Sequence, residues 1–189
     1  VRIAITGGIC DGKSTVLAAI ADAGYPTVSA DDVLREQYAD PSFLAKVADA
    51  LGSEAVSGGE LDRAWVRTRI IEDAKSRRKL NELTHEPALE IVLRRMREAG
   101  GKAFAEVPLL IEACAHPLFD RVVVVTAGAA EQRRRLAERL QGDEAMADRL
   151  LRLQLPTCAK IPFADAIVRT DRPRDAVLLG AVRLARDLA

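Results

Sequence analysis

Apolar positions along this chain switch repeatedly between a strand-like and a helix-like spacing. "VRIAIT" at the start is a short β-branched run ended by glycines, and "KSTVLAAIADAG" then places Val16, Ala19, Ile20 and Ala23 at helical intervals before a Gly stop. That order predicts strand, loop, helix. "PTVSA" predicts a second strand, and "DDVLREQYADPSFLAKVADALG" a helical stretch broken near Pro41. A Gly-Gly turn leads into "GKAFAEVPLL", the expected third strand. "DRVVVVTAG" is the fourth, and its unbroken valines suit a strand buried on both faces. "ADAIVRT" is a weaker fifth, and a helix from about Arg174 to Leu188 closes the chain.

Strands that alternate with helices argue for a parallel sheet covered on both sides. Two segments depart from that rhythm. Residues 61–99 are charged helical sequence with no strand, enough for two or three helices. Residues 129–155 contain "EQRRRLAERL", a turn at Gly142-Asp143, and then "EAMADRLLRLQL". Helical inserts on such a sheet are well placed to cover a ligand at the carboxyl ends of the strands, where these folds bind. The expectation is a single α/β domain spanning residues 1–189, three-layered on a five-stranded parallel sheet, with an acceptor-binding insert at about 61–99 and a lid at about 129–155. Internal repeats and low-complexity tracts are absent from the sequence.

Composition narrows the possible partners. The 189 residues are 49% hydrophobic and carry 28 basic against 28 acidic side chains. With no net charge there is no global attraction to nucleic acid or anionic lipid, so any basic site has to be local. Of the basic residues 22 are Arg and six are Lys, which makes a lysine inside a Gly-rich loop conspicuous. Cys10, Cys114 and Cys158 are odd in number, and neither they nor His85 and His116 have metal-ligand spacing, which points to a reducing compartment. The chain opens directly into a strand, and no apolar run approaches the ~18 residues of a membrane span, so a cytoplasmic location without membrane attachment is expected.

The candidate chemistry lies in "GGICDGKST", residues 7–15. Gly7, four residues, Gly12, Lys13 and Ser14 satisfy the phosphate-loop pattern G-x-x-x-x-G-K-[ST], between a strand and a helix as its mechanism requires. Backbone N–H groups from Gly8 to Thr15 and the helix N-terminus point at phosphate oxygens. Lys13 neutralises the distal phosphates and the Ser14 hydroxyl coordinates Mg²⁺. The bland alternative is a Gly-rich turn with a surface lysine. Cys10 and Asp11 stand where a small neutral residue would suit a phosphate better. A loop that binds through its N–H groups is expected to turn both side chains largely outward.

A GTPase would need Asn-Lys-x-Asp, which does not occur, and "SGGE" at residues 57–60 falls too early for the signature of an ABC-type ATPase. Kinases of small metabolites remain, in which catalysis is mostly positioning and charge neutralisation. Here the sequence resembles the dephospho-CoA kinases, which phosphorylate the ribose 3′-hydroxyl of dephospho-CoA. The likeness runs from "TGGICDGKSTV" and "VSADDV" through "LDR" at 61–63, "LTHEP" at 83–87 and "VPLLIE" at 107–112. It continues with "FDRVVVV", "EQRRRLAER", "RLQ" and "ADAIV", so that it covers about residues 3–171.

The resemblance implies ATP as phosphoryl donor, Mg²⁺, dephospho-CoA as acceptor and a P-loop kinase fold, with a monomer as the favoured state. It makes Asp31 the general base toward the ribose hydroxyl; read by itself, Asp31 serves equally as an N-cap. Arg135 and Arg139, four apart on one helical face, match the family's lid arginines and close over the triphosphate, Arg139 with a catalytic share beside Lys13. Arg133 and Arg134 are read as a solvated charged face. Glu106, ending the third strand, either holds a Mg²⁺-bound water or is a rim carboxylate. His85, Arg63 and Gln154 are assigned to acceptor binding, His85 alternatively to structure, and Trp65 and Phe104 to the core. The chain departs from the family pattern at Cys10, Asp11, Ser29 and Glu86; the last is expected to shift only a helix start. Another small-metabolite or nucleoside kinase of this fold, or a non-catalytic nucleotide-binding regulator, are the rival readings.

Overall fold

A computed structural model describes residues 1–188, in the order β1 (Arg2–Thr6), α1 (Lys13–Asp22), β2 (Thr27–Ser29), α2 (Ala30–Gln37) and α3 (Pro41–Leu51). A short hairpin follows, β3 (Val56–Ser57) and β4 (Glu60–Leu61), then α4 (Arg63–Glu72) and α5 (Ala74–Ala99). The remainder is β5 (Ala103–Glu106), β6 (Arg121–Thr126), α6 (Ala129–Arg139), α7 (Glu144–Arg152), α8 (Thr157–Lys160), β7 (Ala166–Arg169) and α9 (Arg174–Asp187). The chain divides into two compact units, one of Val1–Ser29 with the residues from Arg95 onward, the other of Ala30–Arg94.

In the first unit a parallel five-stranded sheet has the order β2-β5-β1-β6-β7. The strand that leads into the phosphate loop is therefore central, paired with β5 on one side and β6 on the other. Its buried residues alternate: Ile3, Ile5, Phe104, Val123 and Val125 line one face, against Val16 and Ile20 of α1 and Val177, Ala181 and Ala185 of α9. Each such Ile or Val, fully withdrawn from water, contributes on the order of 1.5–3 kcal/mol. Tyr25 adds an edge-on contact to Phe104 at 5.6 Å. The expected core position of Phe104 is what the structure has.

Two features of this unit differ from the sequence expectation. The third strand stops at Glu106 rather than running through "VPLL". Pro108 has no N–H to give a ladder, and its carbonyl instead accepts from Thr6 Oγ1 at 3.2 Å and from Lys160 Nζ at 3.0 Å. The second feature is α8, a single turn too short for any periodicity to reveal.

The second unit is helical around its own apolar cluster of Phe43, Val47, Leu51, Ala55, Val66 and Leu80, with Trp65 packed against it as expected. Local sequence sets the helix starts. The Asp40 carboxylate accepts from Ser42 N–H at 2.9 Å with Pro41 in the first turn of α3, and Asp62 accepts from Ala64 and Trp65 N–H at the start of α4. Residues 61–99 thus yield two helices, within the expected range. Glu86 does not shift a helix start, because α5 runs through Pro87 without a break. One missing N–H within so long a helix is tolerated where the flanking turns are packed, and Thr84 and Ala88 on either side are both buried.

Candidate active site

β1 delivers the chain at the carboxyl edge of the sheet, where parallel folds bind ligands. The residues that follow form a tight loop whose conformation explains its composition. Gly12 lies at φ 88 immediately before α1, in the left-handed region where glycine is favoured. A Cβ on Gly8 would stand 2.1 Å from Gln132 Nε2 and 2.8 Å from Thr157 Oγ1, so a side chain there would have to displace both groups. Cys10 adopts φ 61, a strained choice for a residue with a side chain.

The N–H groups of Lys13, Ser14 and Thr15 open α1 and belong to the first turn, which a helix cannot satisfy internally. Together with the helix dipole they make an anion site. Lys13 is buried and its ammonium donates to the Gly8 carbonyl at 2.8 Å, which folds the charge back over the loop.

The loop's own first donors are engaged elsewhere. Gly8 N–H donates to Asp11 Oδ2 at 2.7 Å and to Thr157 Oγ1 at 3.2 Å, and Ile9 N–H donates to Gln154 Oε1 at 3.0 Å. Asp11 corrects the sequence expectation: its side chain does not face outward but is fully buried. The physical reason is the density of donors behind the loop, which a carboxylate can accept and solvent cannot reach. Besides Gly8, they are Ala127 N–H at 2.9 Å, the Thr157 hydroxyl at 2.6 Å and Gln132 Nε2 at 3.5 Å.

Below these contacts lies a cation that the sequence reading missed. Lys160 of α8 is fully buried and its ammonium reaches Glu112 Oε1 at 2.8 Å, Pro108 O at 3.0 Å and Gly7 O at 3.4 Å. Glu112, the last residue of "VPLLIE", also accepts from Leu155 N–H at 3.1 Å. The available signal was the scarcity of lysine and the spacing of Thr157 and Lys160, which puts both on one side of a single turn. Gln132, the second residue of "EQRRRLAER", donates from Nε2 to Ile9 O at 3.0 Å.

The arginines of α6 have distinct surroundings. Arg135 donates to Thr170 Oγ1 at 3.1 Å and to Thr170 O at 2.7 Å, while Thr170 Oγ1 donates to the Asp11 carbonyl at 2.7 Å. Arg135 therefore stands next to the loop through one intermediary. Its Nε bonds Glu131 at 2.8 Å, and hydrogen bonds from Arg134 and then Arg135 hold the Glu131 carboxyl down at about 2. Arg139 is exposed at the end of α6. Arg134 bonds Glu131 and Glu138 of its own helix, as a solvated face would. Arg133, its side chain 42% exposed, also pairs with Asp148 at 2.7 Å and Glu144 at 3.0 Å, tying α6 to α7.

Glu106 is buried at the end of β5, in register with Ile5 of β1 and Ser29 of β2. Ser14, exposed in the first turn of α1, supplies a hydroxyl. A hydroxyl and one carboxylate are hard oxygen donors that suit Mg²⁺, which keeps waters and takes most remaining ligands from phosphates. The other predicted residues lie in the second unit. Asp31 is exposed inside the first turn of α2, one residue past the start, so it is not that helix's N-cap. Arg63 is exposed at the start of α4, and His85 is half-buried in α5.

Comparison with known proteins agrees with this geometry. The dephospho-CoA kinase family model matches residues 1–174. The dephospho-CoA kinase of Anaeromyxobacter dehalogenans is 38% identical over 194 residues, 98% of this chain and 91% of that protein. Among solved structures, a Thermus thermophilus protein superposes with a TM-score of 0.82 at 25% identity, over 100% of this chain and 98% of that one. The Campylobacter jejuni dephospho-CoA kinase shares the fold with a TM-score of 0.60 at 17% identity, over 98% of this chain and 96% of that one. With a phosphate loop on the central strand and that match along nearly its whole length, the chain belongs to the dephospho-CoA kinase family.

Proposed function

We propose that this chain carries out the ATP-dependent phosphorylation of dephospho-CoA, the reaction of its family in coenzyme A biosynthesis, with the following division of labour. Asp31 takes the proton of the ribose 3′-hydroxyl. The freed oxygen attacks the γ-phosphorus of ATP as the bond from that phosphorus to the β–γ bridging oxygen breaks, giving coenzyme A and ADP. Lys13 and Arg139 neutralise charge on the transferring group, and the N–H groups opening α1 hold the phosphates in place. Arg135 steadies the nucleotide side of the lid at residues 129–155. Ser14, and Glu106 through a water, would hold Mg²⁺, which supplies further neutralisation of phosphate charge when bound. Arg63 and His85 serve acceptor binding in the helical insert. Gln154, assigned to the acceptor from sequence, is bonded to the loop at Ile9, a contact that favours a share in loop support as well.

The observation that carries this reading is the loop itself: its glycine geometry, the buried Lys13 and the N-terminus of α1 coincide at the end of the central strand. Two small-molecule substrates in the cytoplasm, handled by a monomer without nucleic acid or membrane, complete the proposal and accord with the balanced charge. ADP release coupled to dephospho-CoA, against adenosine, AMP and pantetheine controls, tests the acceptor. Asp31→Asn is expected to lower kcat by roughly 10²–10⁴ while ATP still binds. Wild-type turnover in that variant would remove Asp31 from the mechanism.

A further inference from the structure

We propose that Asp11 is a positioning residue for the nucleotide: its buried carboxylate anchors the phosphate loop to the exit of β6, to α6 and to α8, and so sets the shape in which the loop receives ATP. The inference rests on the family reading only for the identity of the ligand. Asp11 is fully buried. Its Oδ1 accepts from Ala127 N–H at 2.9 Å, while Oδ2 accepts from Gly8 N–H at 2.7 Å, the Thr157 hydroxyl at 2.6 Å and, more loosely, Gln132 Nε2 at 3.5 Å. A carboxylate offers about four acceptor positions, and donors from four separate places approach them here. Thr157 Oγ1 is at once a donor to Asp11 and an acceptor from Gly8 N–H, and Gln132 Nε2 also bonds Ile9 O, so the network closes on the loop from two helices.

A serine at this position would present one oxygen on a shorter arm and could not span Gly8 and Ala127 together. A carboxylate does so with charge-assisted hydrogen bonds, roughly twice as strong as neutral ones. Its negative charge sits behind the loop, facing backbone donors, while the ammonium groups of Lys13 and Lys160 rest on the Gly8 and Gly7 carbonyls. The N-terminus of α1, from Lys13 to Thr15, carries none of the hydrogen bonds to the Asp11 carboxylate. The consequence is that Gln132 of α6 and Thr157 of α8 move with the loop, because both hydrogen-bond to the same carboxylate.

The test uses the full chain. Asp11→Asn keeps the size but turns a donor toward donors, and it is expected to weaken binding of a non-hydrolysable ATP analogue by about tenfold or more in calorimetry, with KM for ATP rising in step. KM for dephospho-CoA stays at its wild-type value. A merely structural role would instead lower melting temperature and the active fraction, hence apparent kcat, and leave KM for ATP unmoved; that result, or an equal rise in both KM values, overturns the proposal. Should Asp11→Asn fail to fold, Thr157→Val carries the test: a several-fold loss of analogue affinity supports positioning through Asp11, and unchanged affinity overturns it. Calorimetry needs no turnover, so a failure of the acceptor assignment would not be mistaken for a failure of this one.

Discussion

Both units of the chain have an apolar core, but they differ in what surrounds their candidate site residues. In the first, the residues around the phosphate loop include buried Asp11, Lys13, Gln132, Thr157, Lys160 and Thr170, nearly all joined to one another or to loop backbone. In the second, a cluster of Phe43, Val47, Leu51, Ala55, Val66 and Leu80 does the packing, and the polar groups of interest, Asp31 and Arg63, are exposed. The difference teaches where precision is required. A phosphate loop works by holding N–H groups in one arrangement, and directional hydrogen bonds hold an arrangement better than apolar contact does. Exposed side chains on a helical unit keep rotamer freedom that packed or hydrogen-bonded ones lose.

Breaking one contact in each unit tests that contrast, and the largest effects are expected here. Lys160→Met leaves Glu112, with 22% of its side chain exposed, without its cation and should lower stability by about 3 kcal/mol, the low end for a broken buried pair. Leu80→Ala should lower it by a similar amount, about 3 kcal/mol, through a cavity in the other cluster. Thermal melts should therefore drop by roughly 6–12 °C in each. The variants should part company in kinetics: Lys160→Met raises KM for ATP because Gly7 and Pro108 lose a common donor, whereas Leu80→Ala leaves that constant alone. An equal rise in both would dissolve the contrast.

A smaller effect is expected at Cys10. Cys10→Gly relieves a left-handed conformation worth about 1–2 kcal/mol but adds about 0.5–1 kcal/mol of chain entropy to be lost on folding. Denaturant titration should show a net gain of no more than about 1.5 kcal/mol, and a loss of stability would mean the side chain makes a contact that outweighs its strain.

The smallest effect concerns pH and belongs to the helical unit. Burial raises the Tyr38 phenol above its ordinary value of 10.0, offset in part by Arg63. Folded and unfolded forms are both neutral below that value. As pH climbs through it the unfolded chain ionises first and binds fewer protons, so stability falls until the folded phenol also ionises. Tyr38→Phe should flatten the alkaline limb of a stability–pH profile. A limb of unchanged slope would assign the alkaline loss to other groups.

Much of this molecule could be read before its structure. The order of strands and helices followed from period changes, the break at Pro41 from proline chemistry, and the loop from Gly12, Lys13 and Ser14 in their strand-to-helix setting. What escaped was either short or long-range. The hairpin Val56–Leu61 and α8 hold too few residues for a period to register. The ion pair of Arg133 escaped notice because Asp148 lies 15 positions away on another helix. Asp11 looked as though it faced solvent because local reasoning sees a loop and not what lies behind it.

The sequence by itself determined the class of chemistry, since a loop that binds phosphate through backbone N–H groups needs glycine, lysine and a hydroxyl at set spacings, and those are local. Tertiary structure alone decided that Asp11, Gln132, Thr157 and Lys160 belong to the same site. They are brought together by burial from positions up to 149 residues apart, and a buried polar group is stable only where the fold supplies its partners.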